Sequence, residues 1–154
     1  MRDMRRKDRQ TTQEIALGIT DKCACAVLAT VNSDGSPYCV PLSMVRDGQW
    51  LYFHSAQDGH KIENLKNNNR VCISFVGEVK PKPGAFSVIY ESAIINGTAS
   101  EVTEQEEKIR VLRIISERYT PANMPAFDKA IEKELHVTGI WKIHIDEISG
   151  KKNS

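Results

Sequence analysis

Between residues 26 and 55 the chain alternates short apolar runs with clusters of turn formers, and this rhythm limits the fold more than any other feature. Ala26-Val27-Leu28-Ala29-Thr30-Val31 is apolar and partly β-branched, and Asn32-Ser33-Asp34-Gly35-Ser36-Pro37 behind it is dense in turn residues. Tyr38 to Val45 reads as a second strand. Arg46-Asp47-Gly48-Gln49 contains the Asp-Gly pair favoured in tight hairpins, and Trp50 to Ser55 follows as a third strand. Runs of this length pair with their neighbours, so a three-stranded antiparallel meander is expected.

The rest of the chain extends that pattern. A short helix carrying Ile62 and Leu65 leads into a strand over 70–76, and 77–84, with Pro81 and Pro83, reads as a loop. Residues 86–102 form one bent strand or two, with Gly97 at the bend. In 137–148, Trp141, Ile143 and Ile145 alternate with Lys142, His144 and Asp146, the pattern of a half-buried last strand. Thr11 with Glu14 and Thr103 with Glu106 have capping-box spacing and predict helices from about 11 to 21 and from 103 onward. The second of these stops at Thr120-Pro121, because proline disfavours helix at the residue before it. Another short helix opens at Asn123 or Pro125 and carries Phe127, Ile131 and Leu135. Six strands in hairpin-rich order with peripheral helices predict a mainly β chain folded as a small antiparallel barrel, a single domain over 1–154.

Composition removes several functions. Lys and Arg total 21 against 20 Asp and Glu, a net charge of +1, so the overall field selects neither nucleic acid nor an anionic membrane. Two Trp, four Tyr and four Phe are too few for a base-stacking platform. The stretch 1–10 is a basic N-terminal arm interrupted by Asp3 and Asp8, which suits a solvated segment or one lying over a partner subunit better than a nucleic-acid tail. No signal-peptide core or spanning run follows it, so a cytoplasmic protein is expected. Cys23, Cys25, Cys39 and Cys72 lack zinc-ligand spacing and are read as reduced thiols, with no metal site.

One segment carries chemistry. In Leu51-Tyr52-Phe53-His54-Ser55-Ala56-Gln57-Asp58-Gly59-His60-Lys61 an apolar strand breaks into small, polar and cationic residues at a helix start. Ser55 offers a hydroxyl, Ala56 permits close approach, and Gly59 can take a positive φ that turns the chain. His60 and Lys61 fall in the first helical turn, where free N–H groups and the helix dipole favour an anion such as a phosphate monoester. The same residues also fit a hairpin end followed by a surface helix with a solvated lysine.

Taken with their spacing, these pieces resemble the flavin-binding split barrels related to pyridoxamine 5'-phosphate oxidase, and within them the nitroimidazole-resistance (Nim) type. The resemblance rests on Met4-Arg5-Arg6-Lys7-Asp8-Arg9, Ala29-Thr30, Asp34-Gly35-Ser36-Pro37 ahead of Val40-Pro41-Leu42-Ser43, and the Leu51–Lys61 segment with Asn64-Leu65. Tyr90-Glu91-Ser92 with Gly97 and Gly139-Ile140-Trp141-Lys142-Ile143 complete it. It implies a six-stranded Greek-key split β-barrel, bound FMN, and a homodimer whose two flavin sites each draw on both chains.

Carried over residue by residue, the resemblance gives His54, Ser55 and Ala56 the strand-end positions at the flavin, and His60 and Lys61 the pair that holds its phosphate. The oxidases usually have Arg where this chain has His60, so phosphate affinity here is expected to be weaker and to vary with pH. Val40, Pro41, Leu42 and Ser43 match the strand along the isoalloxazine ring, Ser92 a polar position supplied by the partner, and Trp141 an aromatic near the flavin edge. For Val40, Pro41 and Leu42, and for Trp141, plain core is the competing reading. His54 is the candidate for proton delivery or substrate orientation, with a hydrogen-bonded structural histidine as the alternative. Residues 141–154 contain no Arg, whereas the vitamin B6 oxidases have an Arg-bearing tail, so that activity is not expected.

The expected function is that of an FMN-dependent oxidoreductase passing electrons from NADH or NADPH to a small planar acceptor such as a nitro-aromatic. A flavin-binding sensor or carrier without turnover, and a haem-binding relative of the same barrel, are the rival readings.

Overall fold

The computed structural model describes residues 3–154. The first two positions of the basic arm therefore lie outside the described residues. Of the remainder, Lys7–Arg9 make one 3-10 turn, and Gln10 bridges to Lys151.

The strands are β1 (Ala26–Val31), β2 (Pro37–Leu42), β3 (Val45–Asp47), β4 (Trp50–Ala56), β5 (Arg70–Pro81), β6 (Val88–Glu101) and β7 (Thr138–Asn153). They form one antiparallel seven-stranded sheet in the order β2-β1-β5-β6-β7-β4-β3. The helices are α1 (Gln13–Lys22), α2 (His60–Asn67), α3 (Gln105–Tyr119) and α4 (Phe127–Glu134).

The sheet order corrects the expected meander and the strand count of six. The predicted strand 38–45 breaks at Ser43-Met44; its first part pairs with β1, and its second part pairs with β4 at the other edge of the sheet. Pro37 and Pro41 give the reason, because proline has no N–H to donate to a ladder and is confined to edge strands. A meander would have made this strand central.

The same break shows that the sheet is rolled. Six strand spacings of about 4.8 Å would put β2 and β3 about 29 Å apart in a flat sheet. Leu42 and Val45 are joined by only three Cα steps, at most about 11 Å. The edges must therefore approach each other, and since β2 and β3 share no ladder, the barrel is split along that seam.

Two register shifts bend the long strands. On β7, Asp146 is the extra residue opposite Asn96 and Gly97, as expected for a bulge at Gly97. A Cβ on Gly97 would lie 2.5 Å from the His144 carbonyl oxygen, so the strands cross here at a distance only glycine allows. On β5, Gly77 and Glu78 together oppose Glu91, and the strand continues to Pro81. The expected loop from 77 to 84 is thereby shortened to the turn beyond Pro81, because a bulge absorbs the irregular residues without ending the ladder.

Inward residues of every long strand meet in one core that includes Leu28, Phe53, Ile73, Phe75, Ile95, Trp141 and Ile143. Helix α1 closes this core through Ala16 and Ile19. Its cap is Thr12, whose hydroxyl accepts from the Ile15 N–H at 3.3 Å, and not Thr11, which donates to the Thr12 carbonyl. Helix α3 starts at Gln105 behind Glu104, with no side-chain cap from Thr103. It packs on the outer face of β3 and β4, where Val45, Tyr52, Val111, Ile115 and Ile140 form a second cluster.

Elsewhere the outer face of β1, β5 and β6 carries Val27 and Val76, 38% and 58% exposed. At the tip of the β5–β6 hairpin Phe86 stands entirely in solvent.

Candidate functional site

The segment that breaks from strand to helix folds as its residue types require. β4 ends at Ala56, and Gly59 turns the chain with φ +132°. α2 then begins at His60, and its leading N–H groups have no partner within the helix. Lys61 sits in that first turn, and its ammonium makes no hydrogen bond or ion pair among the described residues.

α2 is fixed to the barrel by polar contacts. Asn64, buried at 2% exposure, donates to the Thr30 hydroxyl at 3.0 Å and to the Asn32 side-chain oxygen at 2.8 Å. The His60 Nε2 lies 2.8 Å from the same Asn32 oxygen, and its ring packs on Tyr38 at 4.0 Å. An oxygen acceptor there assigns the proton to Nε2. His60 thus anchors α2 to the β1–β2 hairpin, a contact the sequence reading did not anticipate.

His54 lies on the outer face of β4, paired in register with Ile140. One side of its ring is open to solvent, yet enough protein surrounds the rest to push its pKa below the usual 6.5 by burial, and Lys61 adds a smaller repulsion. Both effects favour the neutral imidazole at neutral pH, a form that can donate at one nitrogen and accept at the other. The residue lines a cavity of about 370 Å³. Leu112, Ile115, Phe127, Ile131 and Leu135 line its apolar part, and Ser43, Thr120 and Thr138 are polar groups at its walls. Tyr119 donates to the Met44 carbonyl at 2.7 Å and so ties α3 to the β2–β3 seam.

The other candidates divide by strand face. Pro41, Ser43 and Ala56 are exposed, and Ser92 is half-buried on the outward side of β6, opposite Val76. Val40 and Leu42 face inward and pack against the main core. Trp141 is 5% exposed and pairs with Phe53 inside the barrel, where it belongs to the main core. Ser55 donates to the carbonyl of Ala56 at 2.7 Å.

The cavity walls from α3 and α4 were missed as site residues. Phe127, Ile131 and Leu135 showed a helical apolar spacing, but only Phe127 of the three is buried. Such a stripe, too sparse to fill a core, was the available signal.

The sequence pattern of the pyridoxamine 5'-phosphate oxidase family matches residues 14–152. The chain belongs to that family. Among solved structures it is similar to a Bacteroides thetaiotaomicron protein assigned provisionally to 5-nitroimidazole antibiotic resistance. The identity is 28%, the TM-score 0.75, and 91% of this chain and 83% of that one are covered. It shares its fold with a flavocytochrome of Azotobacter vinelandii, at 21% identity, TM-score 0.83, and 99% and 72% coverage. An FAD- and haem-binding protein of Mycobacterium smegmatis shares it too, at 23% identity, TM-score 0.78, and 95% and 74% coverage. Comparison with curated sequences gives no match. No helix among the described residues is long and apolar enough to cross a membrane.

Proposed function

We propose that this member of the family binds FMN and, as a homodimer, reduces a small planar acceptor with electrons from NADH or NADPH. The observation that carries the reading is the unpartnered Lys61 ammonium in the first turn of α2, beside His54. A cation with free backbone N–H groups around it suits a phosphate dianion. The exposed Pro41 and Ser43, at the end of β2, offer a surface against which a flat ring can lie. The residues present therefore fit the flavin, and Val40, Leu42 and Trp141 support that surface from inside the barrel.

Bound flavin would supply the electron transfer. The protein's part is to hold and orient. Lys61 neutralises phosphate charge, Pro41 and Ser43 form one wall, and His54 presents a neutral imidazole whose proton is available to an acceptor in the adjoining cavity. That cavity's apolar walls exclude water from the acceptor. The dimer is supported by the uncovered outer face bearing Val27, Val76 and Ser92, which a second copy would bury.

The test is an FMN titration followed by visible absorption, with Lys61→Ala in parallel. Loss of one charge-assisted contact, about 1.5–3 kcal/mol, predicts roughly 10- to 100-fold weaker binding in the variant. A wild-type protein that binds no flavin overturns the proposal. Flavin binding without NADH or NADPH oxidation in the presence of nitro-aromatic acceptors would leave a carrier or sensor. A Soret band on haem addition, lost in His54→Ala, would instead give His54 to a haem iron.

A further inference from the structure

Phe86 is the most exposed large apolar side chain among the described residues, at 116% of the reference area. Val79 and Val88, 57% and 44% exposed, flank it on the two arms of the β5–β6 hairpin. A protruding aromatic with apolar shoulders marks an interaction site. The same chain also holds a largely apolar cavity between β4, α3 and α4, lined in part by His54.

The two cannot meet within one chain. The cavity lies at the Glu101 end of β6, where the Val102 N–H bonds the Ile140 carbonyl and Ile140 pairs with His54. Phe86 lies beyond Val88 at the other end, thirteen residues and about 43 Å away along the strand. A second copy removes the conflict. A two-fold axis crossing the middle of β6, through the uncovered face that includes Val76 and Val27, reverses the strand in the partner. It thereby sets the hairpin tip of each chain at the cavity end of the other. Such an interface is isologous, so both tips are buried at once.

We infer that the β5–β6 hairpin is an arm exchanged between two copies of this chain, in which Phe86 of each closes the partner's His54 cavity against solvent. The inference shares the dimer with the proposed function and does not depend on the flavin. It makes Phe86 a wall of a site whose other residues come from a different chain.

The test places the photo-crosslinking residue p-benzoylphenylalanine at position 86 of the full chain, irradiates the purified protein, and maps the adduct by mass spectrometry. The expected product has twice the chain mass, with the crosslink at Ser43, at His54 or in the 112–138 segment. Mixing isotopically labelled and unlabelled chains shows that the joined segments come from different copies. An adduct confined to one chain, a crosslink to another surface, or a monomer in solution overturns the arm. In a second measurement Phe86→Ser should raise the dimer dissociation constant by about 100-fold, since two aromatic side chains lose their burial by symmetry. An unchanged constant overturns the inference as well. FMN titration of the same preparations separates the two ideas, since a crosslink without flavin binding keeps the arm and discards the proposed chemistry.

Discussion

Asn64 is where the fold and the candidate site are joined, and replacing it with alanine tests that connection. The substitution removes two hydrogen bonds, to Thr30 at 3.0 Å and Asn32 at 2.8 Å, and leaves the Thr30 hydroxyl buried at 2% exposure with no donor facing it. Two lost bonds at about 1 kcal/mol each, with a partial desolvation penalty, give a cost of about 2–4 kcal/mol. For a chain of this length about 3 °C is lost per kcal/mol, so the melting temperature should fall by roughly 6–12 °C. Thermal unfolding followed by far-ultraviolet circular dichroism reads this directly. Thr30→Val alone and combined with Asn64→Ala completes a double-mutant cycle, in which contacting residues should couple by about 1 kcal/mol. A fall below about 2 °C, or fully additive single effects, would refute the claim that this amide holds α2 to the barrel. FMN affinity should weaken along with stability, because the same contact sets the direction of the Lys61 helix.

Three further outcomes follow from the geometry. His54 should titrate below 6.5 by NMR, and Lys61→Ala should raise its pKa without restoring that value, because burial is the larger cause. Because its folded pKa is depressed, this group destabilises the fold as pH drops below 6.5, and the loss levels off once pH passes below the folded value. Gly97→Ala should cost about 2–4 kcal/mol in urea unfolding, since its Cβ would lie 2.5 Å from the backbone oxygen of His144; a neutral result would show that the strands can part there. Glu91 is buried beside Lys22, whose hydrogen bond is the largest cause holding its carboxyl below the usual 4.5. Glu91→Gln should therefore cost about 1 kcal/mol at neutral pH, and less as pH falls through that lowered value; a pH-independent cost would mean that shape rather than charge matters.

Much of this was legible in the sequence where local chemistry decides structure. The Gly59 turn, the start of α2 and the bulge at Gly97 each follow from what glycine alone permits or from an abrupt change of residue type. The strand broken at Ser43-Met44 was misjudged because hairpin rhythm favours local pairing, although Pro37 and Pro41 already ruled out a central strand. The caps at Thr11 and Thr103 were misplaced because adjacent threonines or acids compete for the same role within one residue. His60 was read as a phosphate ligand without its Asn32 and Tyr38 neighbours, since a contact across 28 positions leaves no periodic trace. The cavity was illegible for the same reason: its walls come from β4, α3 and α4, and no spacing rule brings them together.

β4 obtains its long hydrogen-bonded neighbour only from β7, with Tyr52 facing Lys142 ninety positions later. Closing so long a loop is slow, and pairings of high sequence separation form late in folding. As the chain leaves the ribosome, β1 and β2 can pair at once, but the strand bearing His54 waits for β7, some ninety positions later. Any truncation that removes β7 therefore removes the site as well, even though neither His54 nor Lys61 lies in the deleted segment.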